Sequence, residues 1–567
     1  MNREERRRQE KLAARGSGHA DAMTTRALLG EGAAHHQAGR LDKAERAYLL
    51  VLDAVPGQPD ALHGLGLLAY RRGDVAQAAD LLAQACARTP RNPIFHFNHG
   101  VVLQRAGRFD DAITAYRTAL RENPRYVEAQ ANLGNVLKEA GRLSEAVAAY
   151  EQALALRPDS ADALNNLGVA LKEQGLLARA EDAYRRAITI KPVHAEAHNN
   201  LGLVLLENGR TAQAIESFQT ALRIQPLYLT ALYNLGIAHI WNGDSHAALE
   251  CFARTAEAKH NHGRPAQEHF VYRSRLKHDA EQIQLLLDQG RIEDGWRPYL
   301  RALLDLRDRA DATAGSSTTN RIPIAAADLQ TIAPSFNRFL YIAPCPELTG
   351  GAVNPALDCA AIEARYHARK PEVTFIDGLL TQEALDRLRD FCWHSTIWKK
   401  DYENGYIGAF LGDGFASPLL LQIAEELRTR LPGIFGSHRL TQAWAFKHDS
   451  ARRGLNIHAD AAAVNVNFWI TPDEANLNPE SGGLVVWDKE APRDWNFKAY
   501  NSDQNRGRIY EWLKAERAQE VKITYRANRA VLFNSDLFHE TDEIAFKEGL
   551  TNRRINITLL YGHRHRA

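Results

Sequence analysis

GLNIHADAAAVNVNFWITP, residues 454–472, decides how the C-terminal half of this chain is read. His458 and Asp460 stand two residues apart on a β-patterned run, and side chains at i and i+2 of a strand project to one face, so both can reach one ion. From Val464 to Ile470 apolar residues alternate with Asn465, Asn467 and Trp469, which aims a polar, aromatic-bearing face at the same cavity. A second histidine, His539, follows in NSDLFHE, and Arg554 opens RINITLLY. On that last run Arg554, Asn556 and Thr558 share one face while Ile555, Ile557 and Leu559 take the other. Two imidazoles and a carboxylate are the set that holds non-haem Fe(II) with open positions, so His458, Asp460 and His539 are the expected metal ligands and catalytic residues. A buried arginine fork suits a carboxylate, held by two parallel hydrogen bonds. The H-x-D spacing alone is a weak signal, because His19 and Asp21 repeat it with no β pattern around them.

Outward from this run the composition is that of short strands and amphipathic helices. RFLYIAP (338–344) and EVTFIDGLL (372–380) have strand character, TQEALDRLRDFC (381–392) and PLLLQIAEELRTRL (418–431) read as helices, and SGGLVVWD (481–488) and YRANRAVLFN (525–534) supply further strands. The order suits helices packed outside a double-sheet jelly roll. The insertion from Lys489 to Glu520, with Trp495, Phe497, Tyr500 and RIYEWLKAERAQE, reads either as a lid over the substrate or as packing on the outer sheet.

Over residues 371–567 these elements resemble the Fe(II)- and 2-oxoglutarate-dependent dioxygenases, especially the prolyl-hydroxylase-like branch. The resemblance implies a double-stranded β-helix, iron held by His458, Asp460 and His539, and the distal carboxylate of the cosubstrate 2-oxoglutarate held by an arginine on the last core strand. Matching the pattern RxxxTxxY to RINITLLY chooses Arg554 over Arg553 and brings in Thr558. Asn465, Asn467 and Trp469 lie on the strand that helps hold the cosubstrate in relatives, with Trp469 where a tyrosine is frequent. The implied reaction consumes O2, converts 2-oxoglutarate to succinate and carbon dioxide, and hydroxylates a substrate. Related halogenases carry a small residue at the position of Asp460, so the carboxylate favours hydroxylation. The alternatives are ordinary turn and core residues at these positions, or a cupin-like site for another metal.

Upstream, from Ala27, the chain repeats every 34 residues, the helix-turn-helix period of tetratricopeptide arrays. Glycine recurs in the first helix at Gly32, Gly66, Gly100, Gly134, Gly168, Gly202 and Gly236, and in the turn at Gly39, Gly73, Gly107, Gly141, Gly175, Gly209 and Gly243. Alanine recurs in the second helix from Ala44 to Ala248, and proline closes six units until His260 replaces the seventh. The region resembles the tetratricopeptide repeat family over residues 27–264. In five successive units Asn98, Asn132, Asn166, Asn200 and Asn234 precede the first-helix glycine by two. A carboxamide donates and accepts at once, so such a ladder can grip the backbone of an extended peptide. Asparagines at this position line the concave face of the O-linked N-acetylglucosamine transferase superhelix, which the array resembles. The other reading is that they bond to neighbouring helices and tie the stack together.

The expected organisation is therefore multidomain: a charged tail (1–26), an all-α tetratricopeptide solenoid of seven repeats (27–264), a helical capping segment (265–308), a linker (309–320), and an oxygenase domain (321–567) with its jelly-roll core at 371–567 and flanking helices. The domain order is similar to prolyl 3-hydroxylases of the leprecan type. The expected function is hydroxylation of a protein or peptide side chain, the substrate being captured by the repeats. A small or carrier-bound substrate with the repeats as docking module is one alternative, and a repeat scaffold or oxygen sensor without turnover is another.

Composition excludes several classes. With 567 residues, 25% charged residues and a formal net charge of +1, the chain has no global basic field, so a nucleic-acid partner is not expected. No apolar run reaches membrane-spanning length, and MNREERRRQEKLAARGSGHADAMTT lacks the apolar core of a secretory signal, so a cytoplasmic location is expected. Cys86, Cys251, Cys345, Cys359 and Cys392 are odd in number with no CxxC pair, as expected of free thiols. The histidines at 260, 262 and 269, and those of the C-terminal HRHR, read as surface residues, and the oligomeric state is not readable from the residues.

Overall fold

The computed structural model describes residues 24–260, 270–313, 321–333, 335–449, 455–492, 495, 501 and 505–563. It divides into two compact units, residues 1–204 and 205–567, with the boundary inside the helix Ala195–Glu207.

Fourteen helices form seven helix-turn-helix pairs, from 24–37 with Leu41–Ala54 to Leu229–Trp241 with Ser245–His260. Side chains of Gln58, Asp74, Asn92 and Ser160 accept backbone N–H groups at helix starts, and the turn glycines adopt positive φ, 75° at Gly107 and 78° at Gly175. The first-helix glycines have a more specific reason than close helix approach. A Cβ at Gly100, Gly134 or Gly168 would lie 2.7, 2.6 or 2.5 Å from the ring of Tyr116, Tyr150 or Tyr184, each fully buried. Each of these three glycines is the socket for an aromatic ring of its own repeat, in the last pair Phe252 fills the same socket against Gly236, and at Gly66 Leu82 takes the place of the ring.

In the second unit, β1 (Phe270–Tyr272) and β2 (Arg321–Pro323) form a short antiparallel ribbon. The helices Arg273–Asp288 and Arg297–Thr313 pack on each other beside it, the second running through Thr313, five residues into the stretch expected as linker. Arg273–Asp288 also joins the sheet-bearing region, where Gln282 Nε2 donates to the carbonyls of Trp393 and Ser395 at 2.9 and 3.1 Å.

Ten further strands follow: β3 (Val373–Asp377), β4 (Lys400–Asp401), β5 (Tyr406–Phe410), β6 (Leu440–His448), β7 (Val464–Trp469), β8 (Leu484–Glu490), β9 (Glu520–Ile523), β10 (Arg529–Asn534), β11 (Leu537–Thr541) and β12 (Arg554–Tyr561). They make a seven-stranded antiparallel sheet, β3-β10-β7-β12-β6-β5-β4, and a three-stranded one, β11-β8-β9. β12 lies at the centre of the large sheet and is buried at every residue. The two sheets share a core in which Val373, Trp469, Val531 and Phe533 of one meet Leu484, Val486, Ile523 and Leu537 of the other. The apolar alternation along SGGLVVWD, YRANRAVLFN and RINITLLY is what this core requires.

Three expectations need correction. RFLYIAP is not a strand, because its backbone bonds to side chains instead of a ladder: Leu340 and Tyr341 N–H donate to Thr396 Oγ1 and Ala343 N–H to Ser395 Oγ. β1, β2, β4, β5, β9 and β11 are not expected from the sequence, since each is five residues or fewer and too short for its alternation to stand out. His260 is not a surface residue: its Nε2 lies 3.3 Å from Asp413 Oδ1 and its ring packs 5.0 Å from that of Phe339. Residues 262, 269 and 565 lie outside the described residues, and the five cysteines are unpaired.

Candidate metal centre

An isolated antiparallel bridge closes the distance between the two histidines. His458 N–H donates to the His539 carbonyl at 3.0 Å, His539 N–H donates back at 2.8 Å, and the ring centroids stand 4.3 Å apart. Asp460 follows on the same face, its N–H donating to the Ser535 carbonyl at 3.1 Å. One oxygen of its carboxylate is 3.5 Å from His539 Nε2 and the other 4.0 Å from His458 Nε2. One ligand atom from each of the three lies within 4.8 Å of those of the other two, close enough for one ion.

The tautomers are set by the backbone. His458 Nδ1 faces the Asn456 carbonyl at 2.7 Å and His539 Nδ1 the Leu537 carbonyl at 3.0 Å. A carbonyl only accepts, so both Nδ1 atoms carry a proton and both Nε2 atoms face the cluster, where each donates to the carboxylate when the ring is charged and offers its lone pair to a metal when the ring is neutral, the outer-shell arrangement of metal-ligating histidines. Burial pushes the Asp460 carboxyl up, but His539, His458 and the bond from Asn465 outweigh it and hold it below the ordinary range.

Behind the carboxylate runs a buried amide chain. Asn465 Nδ2 donates to Asp460 Oδ2 at 2.6 Å, Asn467 Nδ2 to Asn465 Oδ1 at 2.6 Å, and Asn556 Nδ2 and Thr558 Oγ1 to Asn467 Oδ1 at 2.7 and 2.8 Å. The register explains it, since Asn467 on β7 lies directly opposite Thr558 on β12. Trp469 points away from this chain into the shared core, its ring 5.6 Å from the Arg554 guanidinium carbon.

Arg554 is 1% exposed and has no carboxylate partner among the described residues. Its Nε and Nη2 donate to the carbonyls of Gly482 and Gly483 at 2.6 and 3.1 Å, while Nη1 has no hydrogen-bond partner among the described residues. Burial lowers its pKa to about 10. Arg554, His458, Asp460, His539, Asn467, Asn556 and Thr558 line one cavity, closed by Trp444, Leu455, Leu484 and Thr541. Asn465 acts from behind Asp460 rather than in this wall. Trp444 escaped the sequence reading, although it stands opposite Thr558 on β6, and the alternation of TQAWAFKH carries that phase. Arg553 turns elsewhere, pairing with Glu281 at 2.9 Å.

The described part of the insertion packs on the outer face of the small sheet. Ile509 and Leu513 of the helix Arg506–Ala515 are buried against Val485, Trp487, Ile457 and Phe538, and none of the insertion's described residues lines the cavity. Phe497 and Tyr500 lie outside the described residues.

In the repeats the ladder amides are half-buried and bonded sideways. Asn98 Nδ2 lies 2.8 Å from His63 Nε2, Asn166 Nδ2 donates to Asn135 Oδ1 at 3.1 Å, Asn200 Nδ2 to Asn165 Oδ1 at 3.0 Å, and Asn132 Oδ1 accepts from Asn135 at 3.5 Å. Asn234 lies in the second unit and is half-buried too. The bonds of Asn98, Asn166 and Asn200 tie neighbouring helices together and that of Asn132 stays within its own helix, yet a carboxamide has two donor hydrogens and an acceptor oxygen with two lone pairs, so one such bond leaves capacity for a ligand. No helix among the described residues is long and apolar enough to cross a membrane.

Among known proteins, the tetratricopeptide repeat families match residues 10–59, 51–93, 63–126 and 97–147, residues 159–227 and residues 205–267, and a TPR repeat family matches residues 134–175. No curated protein matches the chain. Similar solved structures include MamA, 31% identical over 27% of this chain and 91% of that one, TM-score 0.26. YrrB, described as a TPR protein with an unusual peptide-binding site, is 23% identical over 31% of this chain and 91% of that one, TM-score 0.27. PilF of Pseudomonas aeruginosa is 18% identical over 37% and 96%, TM-score 0.34. The matched segments run from residue 10 to 267 and coincide with the paired helices, so the N-terminal part of this chain is a tetratricopeptide repeat array, a scaffold for protein interaction.

Proposed function

We propose that the C-terminal region is a double-stranded β-helix oxygenase that uses Fe(II), 2-oxoglutarate and O2 to hydroxylate a side chain of a protein or peptide captured by the repeats. One observation carries the reading: two imidazoles and a carboxylate share a cavity with a fully buried guanidinium whose Nη1 has no partner among the described residues. The residues fit the group on chemical grounds. Neutral imidazoles presenting Nε2 and one carboxylate are the facial donor set for Fe(II), and the carbonyls holding Arg554 leave its charge for an anion to complete. Bound there, the metal and keto acid would supply oxidation of a C–H bond, with succinate and carbon dioxide as co-products.

The chain's own residues prepare this. The Asn456 and Leu537 carbonyls fix the imidazole tautomers, and Asn465 orients Asp460. Arg554 selects a ligand with a carboxylate at its far end, and Asn556 Oδ1, also without a partner among the described residues, can accept from one with a donor. Trp444, Leu455 and Leu484 exclude water from the reacting face, which strengthens the charge interactions inside. The amide ladder supports a polypeptide substrate, because it can hold a backbone without reading side chains.

The test is mass spectrometry of lysate polypeptides after incubation with Fe(II), 2-oxoglutarate and either the wild type or His458→Ala. A polypeptide heavier by one oxygen atom only with the wild type is expected. No difference would leave the chain a repeat scaffold without hydroxylase activity.

A further inference from the structure

The segment carrying two of the three ligands has little ladder of its own. Residues 455–460 lie outside the strands, His458 makes an isolated bridge to His539, and Leu455 exchanges bonds with Thr541. Much of the remaining support comes from the Lys489 to Glu520 insertion. Asn501 Nδ2 donates at 2.9 Å to the carbonyl of Ala459, the residue between the two ligands. Arg506 Nη1 donates at 3.0 Å to Asn456 Oδ1, and the carbonyl of the same Asn456 accepts from His458 Nδ1. Beside the third ligand, Tyr510 Oη donates at 2.6 Å to Glu540 Oε2. Ile509 and Leu513 are buried with Ile457, Ala459 and Phe538, the residues that alternate with the ligands. Each ligand thus adjoins residues that the insertion grips, although none of the insertion's described residues lines the cavity.

Resting on the reading of His458, Asp460 and His539 as a divalent-metal site, we propose that this insertion is a clamp that sets the site's metal affinity, with Asn501 and Arg506 as positioning residues. A ligand set works only when its members are held to about half an ångström, and a short irregular segment cannot hold itself that closely. Asn501 fixes the peptide between His458 and Asp460, and so the angle between their side chains. Arg506 fixes the Asn456 side chain, whose own peptide carbonyl aims the His458 ring. Loss of such outer contacts lowers metal affinity by roughly 10–100-fold in other sites.

Anaerobic titration with Co(II), whose visible bands report ligand geometry, tests the clamp on the full chain. The wild type is expected to bind one ion with bands that His458→Ala abolishes. Asn501→Ala and Arg506→Ala are expected to raise the dissociation constant roughly 10–100-fold with altered bands, and Arg506→Lys to recover part of the loss. Arg508→Ala, on the same helix with its guanidinium 4.2 Å from the Trp495 ring, is expected to leave binding unchanged. Wild-type affinity and spectrum in Asn501→Ala and Arg506→Ala would overturn the clamp while leaving the metal site standing. An equal loss in Arg508→Ala with no recovery in Arg506→Lys would also overturn it, as general damage to the helix. Absence of any His458-dependent band in the wild type would instead overturn the metal-site reading beneath it.

Discussion

Arg553 and Arg554 are neighbours in the chain with opposite partners: Arg553 pairs with Glu281 on the helix Arg273–Asp288, and Arg554 is held by the Gly482 and Gly483 carbonyls in the wall of the metal cavity. Hydrogen bonds to charged groups contribute roughly 1.5–3 kcal/mol, so Arg554→Ala is expected to raise the 2-oxoglutarate dissociation constant about 10–150-fold. Arg553→Ala should leave it within roughly threefold and instead lower stability by about 1–3 kcal/mol, below the roughly 3–5 kcal/mol of a broken, fully buried pair because Glu281 is partly exposed. Calorimetric titration and urea unfolding of both variants check this. The reverse order would place the carboxylate site on the other arginine.

Lys447 lies fully buried beneath that helix, its Nζ 3.2 Å from His278 Nε2 and 4.2 Å from the Trp398 ring centre. Burial lowers its pKa from 10.5 to about 7, and that of Lys399 likewise. Between these values the unfolded chain binds the proton that the folded chain does not, so stability rises as pH climbs from about 7 toward 10.5. Urea midpoints should increase from pH 7 to 9, and Lys447→Met should flatten the increase by on the order of 2 kcal/mol. A variant with the wild-type slope would show that Lys447 does not titrate in this window.

Gly134→Ala forces a Cβ to within 2.6 Å of the buried Tyr150 ring. Overpacking of this kind costs about 1–3 kcal/mol, and the double variant Gly134→Ala, Tyr150→Leu should lose less than the sum of the two single changes. Strict additivity in urea unfolding would show that the ring and the glycine do not act as one unit.

The ladder amides carry two separable effects. Replacing Asn132, Asn166 and Asn200 together by alanine should reduce stability by roughly 1 kcal/mol per lost bond, from the contacts to Asn135 and Asn165. It should also abolish co-precipitation of polypeptides bound by the wild-type array. Lower stability with unchanged capture would leave the asparagines a purely structural role.

Local pattern was legible where a single period governed it. The 34-residue repeat located every helix pair, and strand alternation placed Asn467, Arg554 and Thr558 on one wall. Trp469 shares the alternation of Asn465 and Asn467 yet faces the shared core, because the two sheets close at its end of β7. RFLYIAP looked like a strand because composition cannot reveal that Thr396 and Ser395 side chains satisfy its backbone. The His458–His539 bridge and the contacts of Asn501 and Arg506 join residues far apart in the chain, and no local period encodes such pairs.

The most direct measurement of the central claim is succinate release after anaerobic loading with Fe(II) and 2-oxoglutarate and admission of O2, comparing the wild type with His458→Ala, Asp460→Ala and His539→Ala. The account predicts iron-dependent conversion of 2-oxoglutarate to succinate in the wild type and at least a hundredfold less in each variant. Iron binding and succinate at background level in the wild type, or equal release from all four proteins, would contradict it.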